Sequence, residues 1–280
     1  MRILSANVAS DDVAYVAMST DDLPLYHIGF SRRALGDPPP VIALLSGDPE
    51  RARQIAERHL HDARKLSENR GLHSYIGRLP NGRPVLSATR GMGAPSLSIV
   101  VNELVQVGIR MIIRVGTCGS IQPHVRPGSV VISSAALCRQ GAANDIAPVE
   151  YPAAADPFLT VALAQAARRL GIDHHVGITA SVDTFYEGQE RTASANPHLL
   201  RALQGITAEY RRLNILNYEM ESGTLFKMGG VYGFRAACIC GVIAQRTEGE
   251  QVVLDAKAIA VENAIRIALA VAEETANGGV

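Results

Sequence analysis

The chain has 280 residues, and its 27 Lys and Arg balance its 27 Asp and Glu, leaving a formal net charge of zero. A hydrophobic fraction of 47% against 19% charged residues argues against disorder, and the balanced charge argues against nucleic-acid or membrane binding held by bulk electrostatics. Any anion must be met by a local cluster.

No apolar run approaches the roughly 18 residues that span a bilayer, and the N-terminus lacks a basic region followed by an apolar stretch, so a soluble, cytoplasmic protein is expected. Cys118, Cys138, Cys238 and Cys240 are too few and too scattered for a secreted disulfide framework. Cys238 and Cys240 lie two apart in an apolar run, on one face of a strand, and read as small core residues. The pairs His59/His61 and His174/His175 lack the i, i+4 spacing of a helical zinc motif, and no metal site is expected.

In chain order, residues 1–24 show little periodicity and read as an N-terminal extension. A buried strand over 41–46 breaks at Gly47; Asp48 is then a natural N-cap and Pro49 a first helical residue. The helix over 50–60 carries Ala52, Ile55, Ala56 and Leu60 on its apolar face. Arg51 falls in the first turn of that helix, where partial positive charge and unpaired N–H groups make a cation unfavourable unless an anion sits there too. Gly47 and Arg51 together suggest a phosphate site; the competing reading is an arginine snorkelling away from the helix end. Further strands are predicted over 83–90, 110–115, 128–134, 174–182 and 235–243, and further helices over 94–107, 156–170, 220–231 and 255–275. The last places Ile259, Ala260, Ala264, Ile267 and Val271 at mixed three- and four-residue steps. The alternation predicts an α/β sandwich around a largely central sheet. With no internal repeat, and with Pro38–Pro40 too short for a linker, one domain is predicted.

Three more segments could carry chemistry. Arg114-Val-Gly-Thr-Cys-Gly-Ser120 reads as a glycine-rich turn closing a strand, with Thr117 offering a hydroxyl and Arg114 a planar fork suited to phosphate. There is no Walker A sequence, and Gly91-Met-Gly93-Ala-Pro-Ser96 fails the dinucleotide fingerprint at its last glycine. In Asp183-Thr-Phe-Tyr-Glu-Gly-Gln-Glu-Arg191, Phe185, Gln189 and Arg191 could grip a planar heterocycle by stacking and paired hydrogen bonds, or simply form an exposed polar loop. In Asn217-Tyr-Glu-Met-Glu-Ser222, the two carboxylates could bind neighbouring sugar hydroxyls while Met220 packs on the sugar, or could serve the helix that follows.

Together, Gly47-Asp-Pro-Glu-Arg51, Arg114-Val-Gly-Thr-Cys-Gly119, Thr184–Arg191, Asn217-Tyr-Glu-Met-Glu221 and Gly241-Val-Ile-Ala-Gln-Arg246 resemble, in the same order, the uridine phosphorylases of the nucleoside phosphorylase superfamily. The resemblance covers about residues 25–275. It implies a nucleoside phosphorylase domain at 25–280, a single three-layer α/β sandwich with a central mixed sheet. It also implies conversion of uridine and phosphate into uracil and ribose 1-phosphate in a homo-oligomer, usually a hexamer built as a trimer of dimers.

By the same resemblance, Gly47, Arg51, Arg114 and Thr117 would bind phosphate, with Arg70 supplied across a dimer interface. His27 would reach the neighbouring subunit's ribose 5′-hydroxyl, while Met220 and Glu221 would hold the ribose. Phe185, Gln189 and Arg191 would hold uracil, helped by Arg246. Arg114, Glu221, Arg191 and Gln189 are then the catalytic set. Phosphate would attack an oxocarbenium-like sugar while Arg191 and Gln189 stabilise the departing base, with no side-chain nucleophile. Purine relatives use an Asp in the segment matching Val242–Arg246 to protonate the base, and that Asp is missing here, which favours pyrimidine. Three positions depart from the pattern. Arg70 is followed by Gly71 rather than the Glu that helps hold an intersubunit potassium ion, which counts against potassium as a cofactor; Gln245 stands where many relatives have Asn, and Cys118 where many have Thr. The competing expectations are a purine or methylthioadenosine-type phosphorylase, a hydrolase, and a non-catalytic binding protein.

Overall fold

In a computed structural model, residues 20–247, 251–252 and 254–275 are described; of the extension expected at 1–24, residues 1–19 lie outside them. The first core strand is β1 (Ile42–Ser46), buried along its whole length. Asp48 then caps α1 (Pro49–His59) by accepting a hydrogen bond from Glu50 N, as the sequence predicts. A hairpin, β2 (His61–Ser67) and β3 (Ser74–Arg78), leads to β4 (Pro84–Thr89), α2 (Ala94–Gln106) and β5 (Met111–Ser120). Next come β6 (Val130–Arg139), α3 (Gly141–Ile146), α4 (Pro157–Arg169), β7 (His174–Val182), α5 (Ile206–Arg212) and β8 (Asn217–Glu219). The described chain ends with α6 (Ser222–Tyr232), β9 (Arg235–Gln245), β10 (Gln251–Val252) and α7 (Leu254–Glu274).

All ten strands form one mixed sheet in the order β10-β9-β6-β7-β8-β5-β1-β4-β3-β2. Because β9 also pairs with β5, the strands β5, β9, β6, β7 and β8 close on themselves, while β1, β4, β3 and β2 extend from β5 as an open wing. One face of the sheet is covered by α2 and α6, through Leu97, Val100, Leu104, Leu225 and Phe226. The other is covered by α1, α4 and α7, through Ile55, Leu159, Leu163, Ile267 and Val271. Each such side chain, fully buried, is worth about 1.5–3 kcal/mol, enough to decide which stripe of a helix faces the sheet. The result is the predicted three-layer α/β sandwich with a central mixed sheet.

Several expectations need correction. The segment after Ile113 is not a turn: β5 runs on to Ser120, paired with β9 throughout across a bulge at Cys118 and Gly119, while its other edge passes from β1 to β8. Gly116 is needed because Arg114 folds back over it, leaving no room for a Cβ. β6 likewise continues five residues beyond the predicted end at 134. The hairpin strand β2 was not predicted, because an edge strand of sequence HDARKLS is largely exposed and shows no apolar alternation. β8, at three residues, is too short for periodicity, and so are α3 and α5. Ile259, placed on the buried face of α7, is 57% exposed, whereas Ala260, Ala264, Ile267 and Val271 are buried.

Candidate active site

The strand ends of β1 and β4 and the middle of β5 meet the N-terminus of α6, and a charged cluster is buried there. Arg51, Arg90, Arg114, Glu219 and Glu221 are each at least 91% buried. Arg51 leaves the first turn of α1 and donates from Nη1 to the Val115 carbonyl at 3.1 Å, so it turns inward rather than snorkelling to solvent. Arg114 donates to Glu221 through Nε (3.2 Å) and Nη2, and its Nη2 lies 3.1 Å from Glu219 Oε2. On its other side, Arg114 Nη1 faces the thiols of Cys240 at 2.8 Å and Cys238 at 3.6 Å. The two cysteines read as core residues are indeed core, and they also line the back of this guanidinium.

The two carboxylates of the Asn217–Ser222 motif divide the roles that the sequence left open. Glu219 serves the helix: it accepts from Glu221 N at 2.9 Å, from Ser222 N at 2.9 Å and from Ser222 Oγ at 2.6 Å. Glu221 turns into the charged cluster, accepting from Gly93 N at 2.8 Å and from Arg90 Nη2 at 2.9 Å besides Arg114. Burial works to raise the Glu221 carboxyl, but Arg90 and then Arg114 outweigh it and hold it at about 2. Burial raises Glu219, against the pull of Arg114. Hydrogen bonds from Cys118 and Cys238, followed by the charge of Arg114, hold the Cys240 thiol well below its usual range. Buried polar atoms are almost always paired. Here Ser46 Oγ, Thr89 Oγ1, Arg51 Nε and Arg90 Nε have no hydrogen-bond partner, and all four belong to residues at the ends of β1 and β4 or in the first turn of α1. They adjoin Gly47, where a Cβ would come within 3.1 Å of Arg90 Nη2.

Further along β5 the character changes. Thr117 lies in register with Gly241, and Gly119 lies under Arg246, whose Cδ a Cβ there would meet at 3.3 Å, with Arg191 Nη2 at 4.0 Å. Arg191 stacks on Phe185, its Cζ 3.8 Å from the ring centroid, donates to the Phe185 carbonyl at 2.8 Å and also donates to Gln189 Oε1. Gln189 is 3% exposed and Phe185 46%. The four residues assigned to the base thus share one end of β5. Met220 directly precedes Glu221, and its carbonyl accepts from Gln140 Nε2 at 2.5 Å. The same Gln140 accepts from Thr224 N at 2.8 Å, tying the start of α6 to β6.

His27 and Arg70 join neither group. They lie together on another surface, where Asn69 Nδ2 donates to the carbonyls of Tyr26 (2.8 Å) and His27 (3.0 Å) and Arg70 stacks 5.6 Å from the Tyr26 ring. His27 Nδ1 is held 2.6 Å from Glu103 Oε1, and Glu103 also accepts from Ile28 N at 2.8 Å. Among the described residues, no cluster of His, Cys, Asp and Glu suits a metal ion, and no helix is long and apolar enough to cross a membrane. The sequence reading missed Arg90, Glu103 and Gln140. Arg90 carried a usable signal, an arginine at the end of a buried strand before a glycine; the other two had none, since they act across 76 and 84 residues.

Residues 41–273 match the family model described as the phosphorylase superfamily. The chain belongs to the phosphorylase superfamily. It is 41% identical over 226 residues to the uridine phosphorylase of Haemophilus influenzae, covering 81% of this chain and 88% of that protein. It is 40% identical over 233 residues to the uridine phosphorylase of Escherichia coli strain K12, covering 83% and 90%. A DeoD-type purine nucleoside phosphorylase from Actinobacillus pleuropneumoniae is 32% identical over 246 residues, covering 87% and 94%. The superfamily match spans both charged groups, from Gly47 to Arg246.

Proposed function

We propose that this protein catalyses the reversible phosphorolysis of uridine to uracil and ribose 1-phosphate. The observation that carries the reading is the set of buried guanidinium and hydroxyl donors around Gly47, beside the Glu221 carboxylate and the middle of β5, with Phe185, Gln189, Arg191 and Arg246 grouped over the C-terminal end of that strand. A phosphate dianion presents several acceptor oxygens to that donor set. It would draw Arg114 from Glu221, and the carboxylate would then turn to the ribose hydroxyls. Cleavage of the glycosidic bond puts positive charge on the sugar and negative charge on the base. Phosphate beneath the sugar stabilises the first and attacks it; Arg191 and Gln189 stabilise the second at the uracil oxygens. A hydrolase needs no such anion cluster for water.

The greater identity to uridine phosphorylases than to the purine relative supports the base assignment, as does the missing Asp in Val242–Arg246. His27 and Arg70 share one surface away from Glu221, which supports a homo-oligomer in which each chain lends this pair to its neighbour's ribose and phosphate. A hexamer, a cytoplasmic location and a role in pyrimidine salvage belong to the same proposal, with no cofactor other than phosphate as co-substrate. An ultraviolet assay of uridine, thymidine and inosine with and without phosphate tests it. Phosphate-dependent release of uracil with inosine inert is the expected result; cleavage of inosine in place of uridine overturns the base assignment, and cleavage without phosphate overturns the reaction.

A further inference from the structure

We propose that Glu190 is a positioning residue for the base end of the site: its carboxylate anchors the turn that brings Gln189 and Arg191 together and ties that turn to Arg246. The proposal rests on the phosphorolysis proposed above and on the base roles given to those three residues. Glu190 follows a single 3-10 turn, Glu187–Gln189, and adopts φ 54° and ψ 46°, a left-handed conformation that side chains other than Asn and Asp rarely take. The reversal there sets its two neighbours side by side. Arg191 donates from Nη1 to Gln189 Oε1, and its backbone N donates to the Tyr186 carbonyl at 2.7 Å. Glu190 itself reaches the other way: Oε1 accepts from Gly205 N, and Oε2 accepts from Thr207 N at 2.8 Å, at the start of α5.

Hydrogen bonds from backbone N–H to a carboxylate are about twice as strong as neutral ones, and two of them can hold a residue in a strained conformation that it would otherwise leave. These two bonds close a loop whose intervening residues, 192–198, are mostly exposed. The link then continues into the core. Thr207 Oγ1 lies 3.0 Å from the Tyr218 hydroxyl, and Arg246 sits over the Tyr218 ring, its Cζ 5.3 Å from the centroid. Tyr218 belongs to β8 and is 1% exposed. Glu190 is therefore joined through the backbone to Gln189 and Arg191, and through Thr207 and Tyr218 to Arg246. A base that leaves with negative charge is stabilised best by donors already in place, because such donors need no reorganisation as the bond breaks. With its carboxylate occupied by α5, Glu190 acts through the groups that would meet the base rather than on the base itself.

The test measures kcat and KM for uridine, 5-fluorouridine and phosphate in the wild-type protein, Glu190→Gln and Glu190→Gly. Glycine takes the left-handed conformation without strain, so E190G removes the carboxylate and leaves the turn free to form, while E190Q keeps one of the two acceptor oxygens. We expect kcat/KM for uridine to fall about tenfold in E190G and by less in E190Q, with KM for phosphate unchanged. The base supplies a second readout. 5-Fluorouracil leaves as a weaker base than uracil and depends less on donors at its oxygens, so the loss on 5-fluorouridine should be smaller than the loss on uridine. Wild-type kcat/KM for uridine in E190G overturns the proposal. So does a loss that is equal for both nucleosides and accompanied by a raised KM for phosphate, since that is what general damage to the fold would give. If the wild-type protein cleaves neither nucleoside in phosphate, it is the proposed reaction that fails, and the role of Glu190 with it.

Discussion

Arg114 and Arg191 are both assigned to charge stabilisation, yet they are held in opposite ways. Arg114 lies inside β5, 3% exposed, between two carboxylates and two thiols. Arg191 lies on the loop after β7, half-buried, stacked on a Phe185 ring that is itself 46% exposed. The first is part of the core and cannot be removed without leaving a charge behind. The second is carried by the scaffold without supporting it. One site therefore joins a pocket in which function and stability are the same contacts to a loop in which they are separate.

The largest test of that contrast is Arg114→Ala. We expect phosphorolysis to fall about a thousandfold, as for loss of a preorganised donor, and stability to fall by about 3–5 kcal/mol, because Glu219 and Glu221 lose a buried partner. Measured kinetics together with thermal unfolding check this, and near-normal turnover at saturating phosphate would remove Arg114 from its role. Arg191→Ala should lower kcat about a hundredfold with an unchanged melting temperature. A drop of many degrees in that variant would erase the distinction between pocket and loop. Gln189→Ala sharpens the loop's side: KM for uridine should rise about tenfold while KM for phosphate stays put, and equal losses on both substrates would count against base recognition.

The smallest effect is in acid. Glu221 is held at about 2, below its usual 4.5, so its contribution to stability is present above about pH 4.5 and is lost as pH falls through about 2. The gap in melting temperature between wild type and Glu221→Gln should therefore narrow over that window. A gap that stays constant from about pH 6 down to about pH 2.5 would mean that Glu221 is not the anchored anion described above.

The elements with strong periodicity were legible in the sequence. β1, α1, α2, α4 and β7 fall within a residue or two of their predicted bounds, since each buries one continuous face. Asp48 and Pro49 marked the start of α1 by their own capping chemistry. What the sequence could not show was set by tertiary contacts. Arg114-Val-Gly-Thr-Cys-Gly119 looks like a turn because it is rich in small residues, but those residues are small so that Arg114 and Arg246 can lie over a continuing strand. Glu219 and Glu221 are equivalent on paper; only the bend into α6 sends one to the backbone and the other to Arg90. Arg90 was marked only by its place at the end of a buried strand before a glycine, and its meaning comes from Glu221, 131 residues away.

The most direct test of the account is to identify the sugar product by phosphorus NMR when uridine is cleaved in phosphate. If the buried arginines present phosphate as the nucleophile, ribose 1-phosphate will appear in one-to-one yield with uracil. Free ribose, formed at a rate that ignores phosphate, would contradict the account at its centre.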